Sequence, residues 1–380
     1  SGVLNGNGSL SKSGNGLLTL TGNNSFSGVL NLLGGRLATQ GNAALGAPSQ
    51  LNVASGASLE LGGNASLARL DGNGTVTVGS GSILSIGAGS FLGSFGGNGN
   101  LDKTGSGLLT LGGASNLGGS ARVSGGTLQV DGTLASAGVS VASGATLTGT
   151  GTLNGPLSID NGGHLALASG SVLSTGSLTL GSLANLDVRL GSPVAGAAGL
   201  LRVNGNLVLD GLLNVTDVGG FGLGVYRLAD YSGLLSDNGL ALGNLPSGLL
   251  ASDLQVQTSV DKQVNLVVGG AAGAVLFWDG QTTGNAAIDG GTGLWSSTST
   301  SWTNASGNFN QNWNGGYAVF QGAAGTVTVE GAQSITGLQF VSDGYSLAAG
   351  NAGELRLLNG SNGYAMMRVA EGSSATLGVN

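Results

Sequence analysis

Two long stretches of the sequence match each other at a fixed separation. Residues 6–20 (GNGSLSKSGNGLLTL) return as residues 97–111 (GNGNLDKTGSGLLTL), so position 97 repeats position 6 after 91 residues. The same register continues, because GGRL at 34–37 returns as GGTL at 125–128. Repeated units of this kind bury an apolar face by stacking on their neighbours. The duplication therefore favours a repeat architecture over a compact globular domain.

A shorter pattern recurs along the same part of the chain. Val53, Val78, Val141 and Ile159 are each followed by Gly after three residues and by an apolar residue after six. We interpret this as a strand, a Gly corner and a second strand, since Gly adopts the positive-φ conformations that tight corners need. The spacings from 53 to 78 and from 141 to 159 are 25 and 18 residues, which we take as one coil each. With about 20 residues per coil and strands roughly 4.8 Å apart, the chain is expected to form a rod about 80–90 Å long.

The composition limits the fold class to all-β. Hydrophobic residues make up 40% of the chain, which is too high for simple disorder, and the 78 Gly follow no strict three-residue period, which excludes collagen. Helices are disfavoured because Gly interrupts almost every turn at about 1 kcal/mol each. Thr75–Val78 and Ser177–Leu180 alternate small polar with aliphatic residues, the pattern of a half-buried strand. A parallel β-helix, an elongated β-solenoid, is the architecture that this combination predicts.

Charge and cysteine content restrict the partners and the compartment. A net charge of −7 and a pI near 4.5 count against nucleic acid or an anionic membrane as partner. No apolar run reaches the length needed to span a bilayer. The absence of Cys is compatible with export, because a long solenoid buries enough surface without disulfides. The chain starts at Ser1 without signal-peptide features and stops at Asn380 in mid-pattern, so we expect a segment of a longer protein.

Changes in composition and repeat pattern along the chain suggest four regions. The clearest repeats are at 6–37 and 97–128, and Gly269–Gly273 is the best candidate for a joint. The predicted regions are a β-helix over 1–196, a continuing β-helix block over 197–270, an aromatic-rich insertion or junction over 271–325 and a resumed, truncated β-helix over 326–380.

The aromatic section contains the strongest candidate for a ligand site. Trp278, Trp295, Trp302, Trp313 and Tyr317 concentrate large rings in a chain that is only 4% aromatic. Such rings can form a flat platform for sugars or for a partner protein. The alternative, which we favour, is that the rings pack on each other where the solenoid is interrupted.

Catalytic and metal-binding patterns are weak. With one His and no Cys, any Ser–His–Asp triad must use His164, which is followed by a core Leu and is expected to be an exposed coil residue. Asp210, Asp217, Asp230 and Asp237 are close enough in sequence for a calcium site, although solvated turn carboxylates are the simpler interpretation. We therefore predict a protein that is not an enzyme and that has no cofactor and no metal.

The motif Gly-x-Gly-x-Leu-x-Lys-x-Gly-x-Gly-x-Leu-Thr-Leu resembles the passenger-associated repeat of bacterial autotransporters, the type V secretion family. Tyr226–Leu228 and Phe277–Gly280 are also similar to segments of large autotransporter passengers. The resemblance implies a right-handed β-helix of the pectin-lyase-like type. It further implies export by the Sec pathway and display on a Gram-negative cell surface through a C-terminal outer-membrane β-barrel that this sequence does not include.

The resemblance leaves several functions open, because passengers include adhesins, self-associating biofilm proteins and some proteases or esterases. Rows of Ser, Thr, Asn and Gly favour an adhesin whose partners are copies of itself on neighbouring cells, or host and matrix glycans or proteins. A passive stalk that assists secretion and folding is one alternative. A polysaccharide-processing enzyme on the β-helix is the other, although the acidic residues are scattered singly.

Overall fold

The predicted all-β class is confirmed. The computed structural model describes residues 3–192, 199–269, 274–280, 282–360 and 363–379, and these form a β-solenoid of about 17 turns. Within these ranges there is no α-helix, and one 3-10 helix covers Ala251–Asp253. Residues 270–273 of the predicted joint lie outside the described residues.

Each coil of the first part of the chain passes through three parallel sheets in turn, which we name faces A, B and C. Face A contains Leu10–Lys12, Val29–Leu32, Gln50–Val53, the second halves of Ala65–Gly72 and Ile83–Phe91, Leu108–Leu111, Thr127–Val130, Thr146–Thr148, His164–Ala168, Asn185–Leu190, Leu212–Asp217 and Ala241–Leu242.

Faces B and C complete the triangle. Face B contains the first halves of Ala65–Gly72 and Ile83–Phe91, then Asn100–Lys103, Ala121–Val123, Val139–Val141, Leu157–Ile159, Leu178–Leu180, Leu207–Leu209 and Leu235–Asp237. Face C contains Leu17–Leu20, Arg36–Gln40, Ser58–Gly62, Thr75–Val78 and Ser94–Gly96, and continues through Ala114–Asn116, Thr133–Ala135, Thr152–Leu153, Leu173–Thr175, Leu201–Val203 and Gly224–Tyr231.

The coil length follows from residues that pair in register. On face A, Leu51 pairs with Leu70 and Leu128 with Leu147, each 19 residues further on. Val141 and Ile159 also pair, so their 18-residue spacing is one coil as predicted. The 25-residue spacing from Val53 to Val78 is not a coil, because these residues lie on faces A and C.

The predicted Gly corners are confirmed. Gly56, Gly81, Gly144 and Gly162 have φ angles of 80°, 75°, 74° and 75°. The four corners are not equivalent in position: the one at Gly56 joins face A to face C, the one at Gly81 joins face C to face B, and the others join face B to face A. The same pattern, an aliphatic residue followed by Gly after three residues, therefore forms corners at all three edges of the solenoid.

The two copies of the long repeat lie on different faces. Leu10 belongs to face A, and Leu30, Leu51, Leu70, Gly89 and Leu109 follow it in the same stack. The residue that corresponds to Leu10 in the second copy is Leu101, which lies on face B. In this stack Leu109 lies five coils after Leu10 and 99 residues further along the chain. The repeat offset of 91 residues is eight residues shorter, so the second copy does not return to the same face. The repeat therefore folds in the same way on whichever face it falls.

Some glycines allow the coils to approach closely, and these should tolerate substitution worst. Gly149 has a φ of 131°, and a Cβ there would lie 2.0 Å from the carbonyl oxygen of Val130 in the preceding coil. Gly144 also has positive φ, but a Cβ there would meet nothing within 4 Å. We expect Gly149→Ala to destabilise the chain by about 2 kcal/mol more than Gly144→Ala, because it adds a backbone clash to the conformational strain. Hydrogen exchange of the Thr127–Val130 amides measures the difference, and equal losses would contradict the clash.

The regular stacking changes after face C reaches Gly224–Tyr231. This strand pairs antiparallel with Gln263–Val268, which in turn pairs antiparallel with Leu254–Gln257. A second solenoid follows over residues 274–379. One of its sheets contains Val275–Trp278, Tyr317–Phe320, Gly337–Phe340 and Met366–Val369 in parallel, with Trp302–Thr303 and Asn310–Gln311 added antiparallel at its edge. The others contain Gly293–Trp295, Thr326–Val329, Tyr345–Ala349 and Ala375–Gly378, and Ala332–Ile335 with Glu354–Leu357.

Buried polar contacts join the two solenoids. The Gln339 side chain accepts a hydrogen bond from the Val225 backbone N–H and donates one to its carbonyl oxygen, each at 2.9 Å. Gln321 donates to the Gln257 side-chain oxygen at 3.0 Å. Because both pairs are buried, their hydrogen bonds satisfy groups that would otherwise be costly to remove from water.

Candidate binding surfaces

The predicted aromatic platform is not on the surface. The side chains of Trp278, Trp295 and Trp302 are 0% exposed and that of Tyr317 is 3% exposed, while Trp313 is half-buried. A flat sugar or protein surface needs exposed ring faces, so these five residues do not form the binding platform that was considered. The aromatic enrichment alone did not distinguish a platform from a core.

The tryptophans instead pack on each other, as the favoured alternative proposed. The ring centroid of Trp302 lies 5.4 Å from that of Trp278, 4.8 Å from Trp295 and 4.4 Å from Trp313. Phe320 adds a further edge contact at 5.6 Å. This cluster fills the first turns of the second solenoid.

His164 lies on face A and is half-exposed. Its Nδ1 lies 2.7 Å from Oδ2 of Asp187, whose other oxygen accepts a hydrogen bond from Asn214 at 2.8 Å. Asp187 and Asn214 are neighbours in an outward row of face A, next to the row that contains His164 and Asn185. The contact orients the imidazole within the polar surface of the sheet.

The four aspartates considered for calcium do not converge. In the part of the chain that the structure describes, no group of three or more His, Cys, Asp or Glu side chains is placed to hold a metal ion. Each carboxylate accepts a hydrogen bond from a backbone N–H. The pairs are Asp210 with Gly211 (2.8 Å), Asp217 with Gly219 (2.6 Å), Asp230 with Gly199 (2.7 Å) and Asp237 with Gly239 (3.0 Å).

The Lys of the long repeat has a structural role that the sequence analysis missed. Lys103 is 0% exposed, and its Nζ donates to the carbonyl oxygens of Thr104 (2.6 Å), Gly105 (3.1 Å) and Gly125 (2.9 Å). Burial lowers the pKa of Lys103, an effect that the neighbouring Asp102 carboxylate partly opposes. The ammonium group therefore ties one Gly corner to the corner of the next coil.

Lys12 makes the equivalent contacts in the first copy. Its Nζ donates to the carbonyl oxygens of Ser13 (3.0 Å), Gly14 (2.8 Å) and Gly34 (3.0 Å), although this site is partly open to water. The signal in the sequence was the presence of Lys at the same position of both copies, next to Gly corners. The duplication provides an internal comparison between a buried and a hydrated version of one contact.

Outward-facing residues of face A form a row that is polar at every position except Ala166, which we name row A. One residue per coil contributes to it, so the row extends along the axis of the solenoid. Neighbours in the row bond to each other; Asn52, for example, donates to Asn31 at 2.7 Å. Row A consists of Ser11, Asn31, Asn52, Asp71, Ser90, Thr110, Gln129, Thr148, Ala166, Asp187 and Asn214.

Face B carries a second outward row, which we name row B. Its strands are three or four residues long over most of the face, so each coil presents a single central side chain. Most of these side chains are short hydroxyl groups, with one Asp and one Arg among them. Row B consists of Ser66, Ser85, Asp102, Arg122, Ser140, Ser158, Thr179, Val208 and Ser236.

Comparison with known proteins agrees with this architecture. The passenger-associated-transport-repeat family matches residues 10–38 and 101–130. Over 222 residues the chain is 38% identical to the adhesin BmaC autotransporter of Brucella suis biovar 1 (strain 1330), a match that covers 54% of this chain and 6% of that protein. No solved structure matches the chain significantly.

The chain therefore carries two matches to the passenger-associated-transport-repeat family on a parallel β-solenoid, and part of it is similar in sequence to an autotransporter adhesin. The chain spans only a small fraction of the length of the relative that it matches. None of the described segments forms a helix that is long and apolar enough to cross a membrane.

Proposed function

We propose that this passenger segment acts in adhesion, through contacts between row A and either a second copy of the chain or a partner on another surface. The observation that carries the proposal is row A, which places a hydrogen-bonding side chain in every coil from Ser11 to Thr148, about 4.8 Å apart. Each contact is weak, but many contacts on one rigid rod add up by multivalency. Only 8% of the residues are charged, so repulsion between two copies is small.

The similarity to a protein named as an adhesin supports the same function. We further propose that the chain has no catalytic role, that the Sec pathway exports it, and that an outer-membrane barrel elsewhere in the protein anchors it. The proposed partners are copies of the passenger on neighbouring cells, or host and matrix glycans or proteins. Cell–cell aggregation and biofilm formation are the expected consequences of the first kind of partner.

A settling assay on displayed protein tests the proposal. The segment is displayed on a non-aggregating bacterium through a carrier barrel, and protease shaving confirms its exposure. We expect clumping above the carrier-only level, and we expect the triple variant Thr110→Lys, Gln129→Lys, Thr148→Lys to abolish it. The three lysines line up on consecutive coils of row A and repel the same row of another copy.

The matched control carries three lysines on consecutive coils of face C. Thr133, Thr152 and Ser174 are aligned on that face and are half-buried, like the row A positions. We expect Thr133→Lys, Thr152→Lys, Ser174→Lys to clump like the unchanged chain. Dispersed cells at equal display would show that this segment does not self-associate, and equal loss in both triple variants would show that row A is not the contact surface.

A further inference from the structure

A shallow, open depression lies beside row B, where face B turns towards face A. Its volume is about 650 Å³. Arg122 stands at one end, Thr179 and Gly181 at the other, and Ser158 and Asn161 between them. It extends over four consecutive coils, so its length is roughly 14 Å.

The corner at the far end of the depression is Gly181, which has no side chain. A Cβ on Gly181 would lie 2.6 Å from Oδ1 of Asn161. That Asn161 oxygen already accepts a hydrogen bond from the Leu183 backbone N–H at 3.0 Å. The Asn161 amide is thus held in place, and its Nδ2 hydrogens are left to interact with a ligand.

Arg122 is oriented but is not neutralised. Its Nε donates to Oγ of Ser124 at 3.1 Å, and that hydroxyl donates to Oδ1 of Asp102 at 2.6 Å. Among the described residues, Arg122 forms no ion pair with a carboxylate within 4.0 Å. Its two Nη groups therefore remain available in the fork geometry that binds a carboxylate through two hydrogen bonds.

Two other arginines of the exposed faces bind acidic side chains directly. Arg36 binds Glu60 through two hydrogen bonds, at 2.8 and 2.9 Å. Arg69 contacts both oxygens of Asp71. In row B, Asp102 precedes Arg122 and is linked to it only through the Ser124 hydroxyl, and Ser140 follows it, so a ligand can supply a carboxylate for the Nη groups.

We propose that this depression binds an acidic oligosaccharide of the uronic acid type, with one carboxylate on Arg122 and ring hydroxyls on Ser158, Asp160 and Asn161. The inference rests on the proposed adhesive function and names a ligand class for it. A single guanidinium suits one carboxylate among many hydroxyls. The polar lining opposes an apolar peptide.

Titration of the purified chain with the trisaccharide of galacturonic acid tests the proposal. We expect Arg122→Gln to weaken binding about ten-fold or more, because a charge-assisted pair of hydrogen bonds is lost. The fully methyl-esterified trisaccharide has the same rings without the charge. We expect it to bind the unchanged chain weakly, with the affinity that the acidic trisaccharide has for Arg122→Gln.

Arg202→Gln is the matched control. Arg202 is the exposed central residue of the three-residue strand Leu201–Val203, as Arg122 is of Ala121–Val123, but it lies on face C away from the depression. We expect its affinity to be unchanged. Absence of trisaccharide binding, equal binding by Arg122→Gln, equal loss in Arg202→Gln, or full competition by acetate at the same carboxylate concentration would each overturn the proposal.

The settling assay separates this result from the adhesive function itself. Cells that display Arg122→Gln are expected to clump still, while the purified variant no longer binds the trisaccharide. This pair of results supports both a saccharide subsite and an independent row A contact. Displayed chain that clumps while the purified chain binds no trisaccharide leaves adhesion standing and removes the subsite. Binding without any clumping retains the subsite and removes self-association.

Discussion

Trp302→Ala is expected to destabilise the second solenoid by about 3–5 kcal/mol. The side chain is 0% exposed and touches the rings of Trp278, Trp295 and Trp313, with centroids 4.4–5.4 Å away. Truncation leaves a cavity that several rigid rings border, and these rings cannot collapse into it without losing their edge contacts.

Hydrogen exchange of the Tyr317–Phe320 amides measures this loss, because coils of a solenoid share stability mainly with their neighbours. Amides of Thr127–Val130, in the first solenoid, are the internal reference and are expected to stay protected. Phe309→Ala is the control variant, since that ring is 60% exposed and its removal should change little. Similar protection in Trp302→Ala and Phe309→Ala would contradict a core role for the tryptophan cluster.

Lys103→Met is expected to cost about 3 kcal/mol. The substitution keeps the apolar stem but removes the donor for three carbonyl oxygens, those of Thr104, Gly105 and Gly125. Buried acceptors without a donor lose their hydration without compensation. The effect is expected at the corners that Lys103 joins, and exchange of the Leu108–Leu111 and Thr127–Val130 amides measures it.

Lys12→Met provides the comparison within the same chain. It removes the same three types of contact, but water can reach the carbonyl oxygens of Ser13 and Gly14. We expect a loss below about 1 kcal/mol, in the range of an ordinary exposed hydrogen bond. Equal losses at the two sites would show that burial of the ammonium does not set the strength of the contact.

The proposed adhesive surface and the aromatic cluster are separate features of this chain. Rows A and B lie on the outside of the first solenoid, whereas the tryptophans are inside the second one. Substitutions that disrupt the tryptophan cluster are therefore expected to act through folding. Substitutions at Arg122 or in row A are expected to act through binding.

Local features of the fold could be predicted from the sequence because they depend on neighbours along the chain. Alternation in Thr75–Val78 predicted a strand with Val76 and Val78 inside, and both are 0% exposed. Positive φ at Gly56 and Gly144 followed from the three-residue spacing of Gly after an inward aliphatic residue. The match at 91 residues predicted a solenoid because repeated units bury their apolar faces only by stacking.

Other features depended on which coils come together. The sequence did not show that its two long repeats lie on different faces, since that depends on the summed lengths of the intervening coils. It did not show that the Lys103 ammonium is buried while that of Lys12 is partly hydrated. Nor did it show that Arg122 and Gly181, three coils apart along face B, line one depression. Whether the tryptophans were a platform or a core was decided by the sheets that cover them. These properties depend on how successive coils and sheets come together, so the tertiary structure alone determines them.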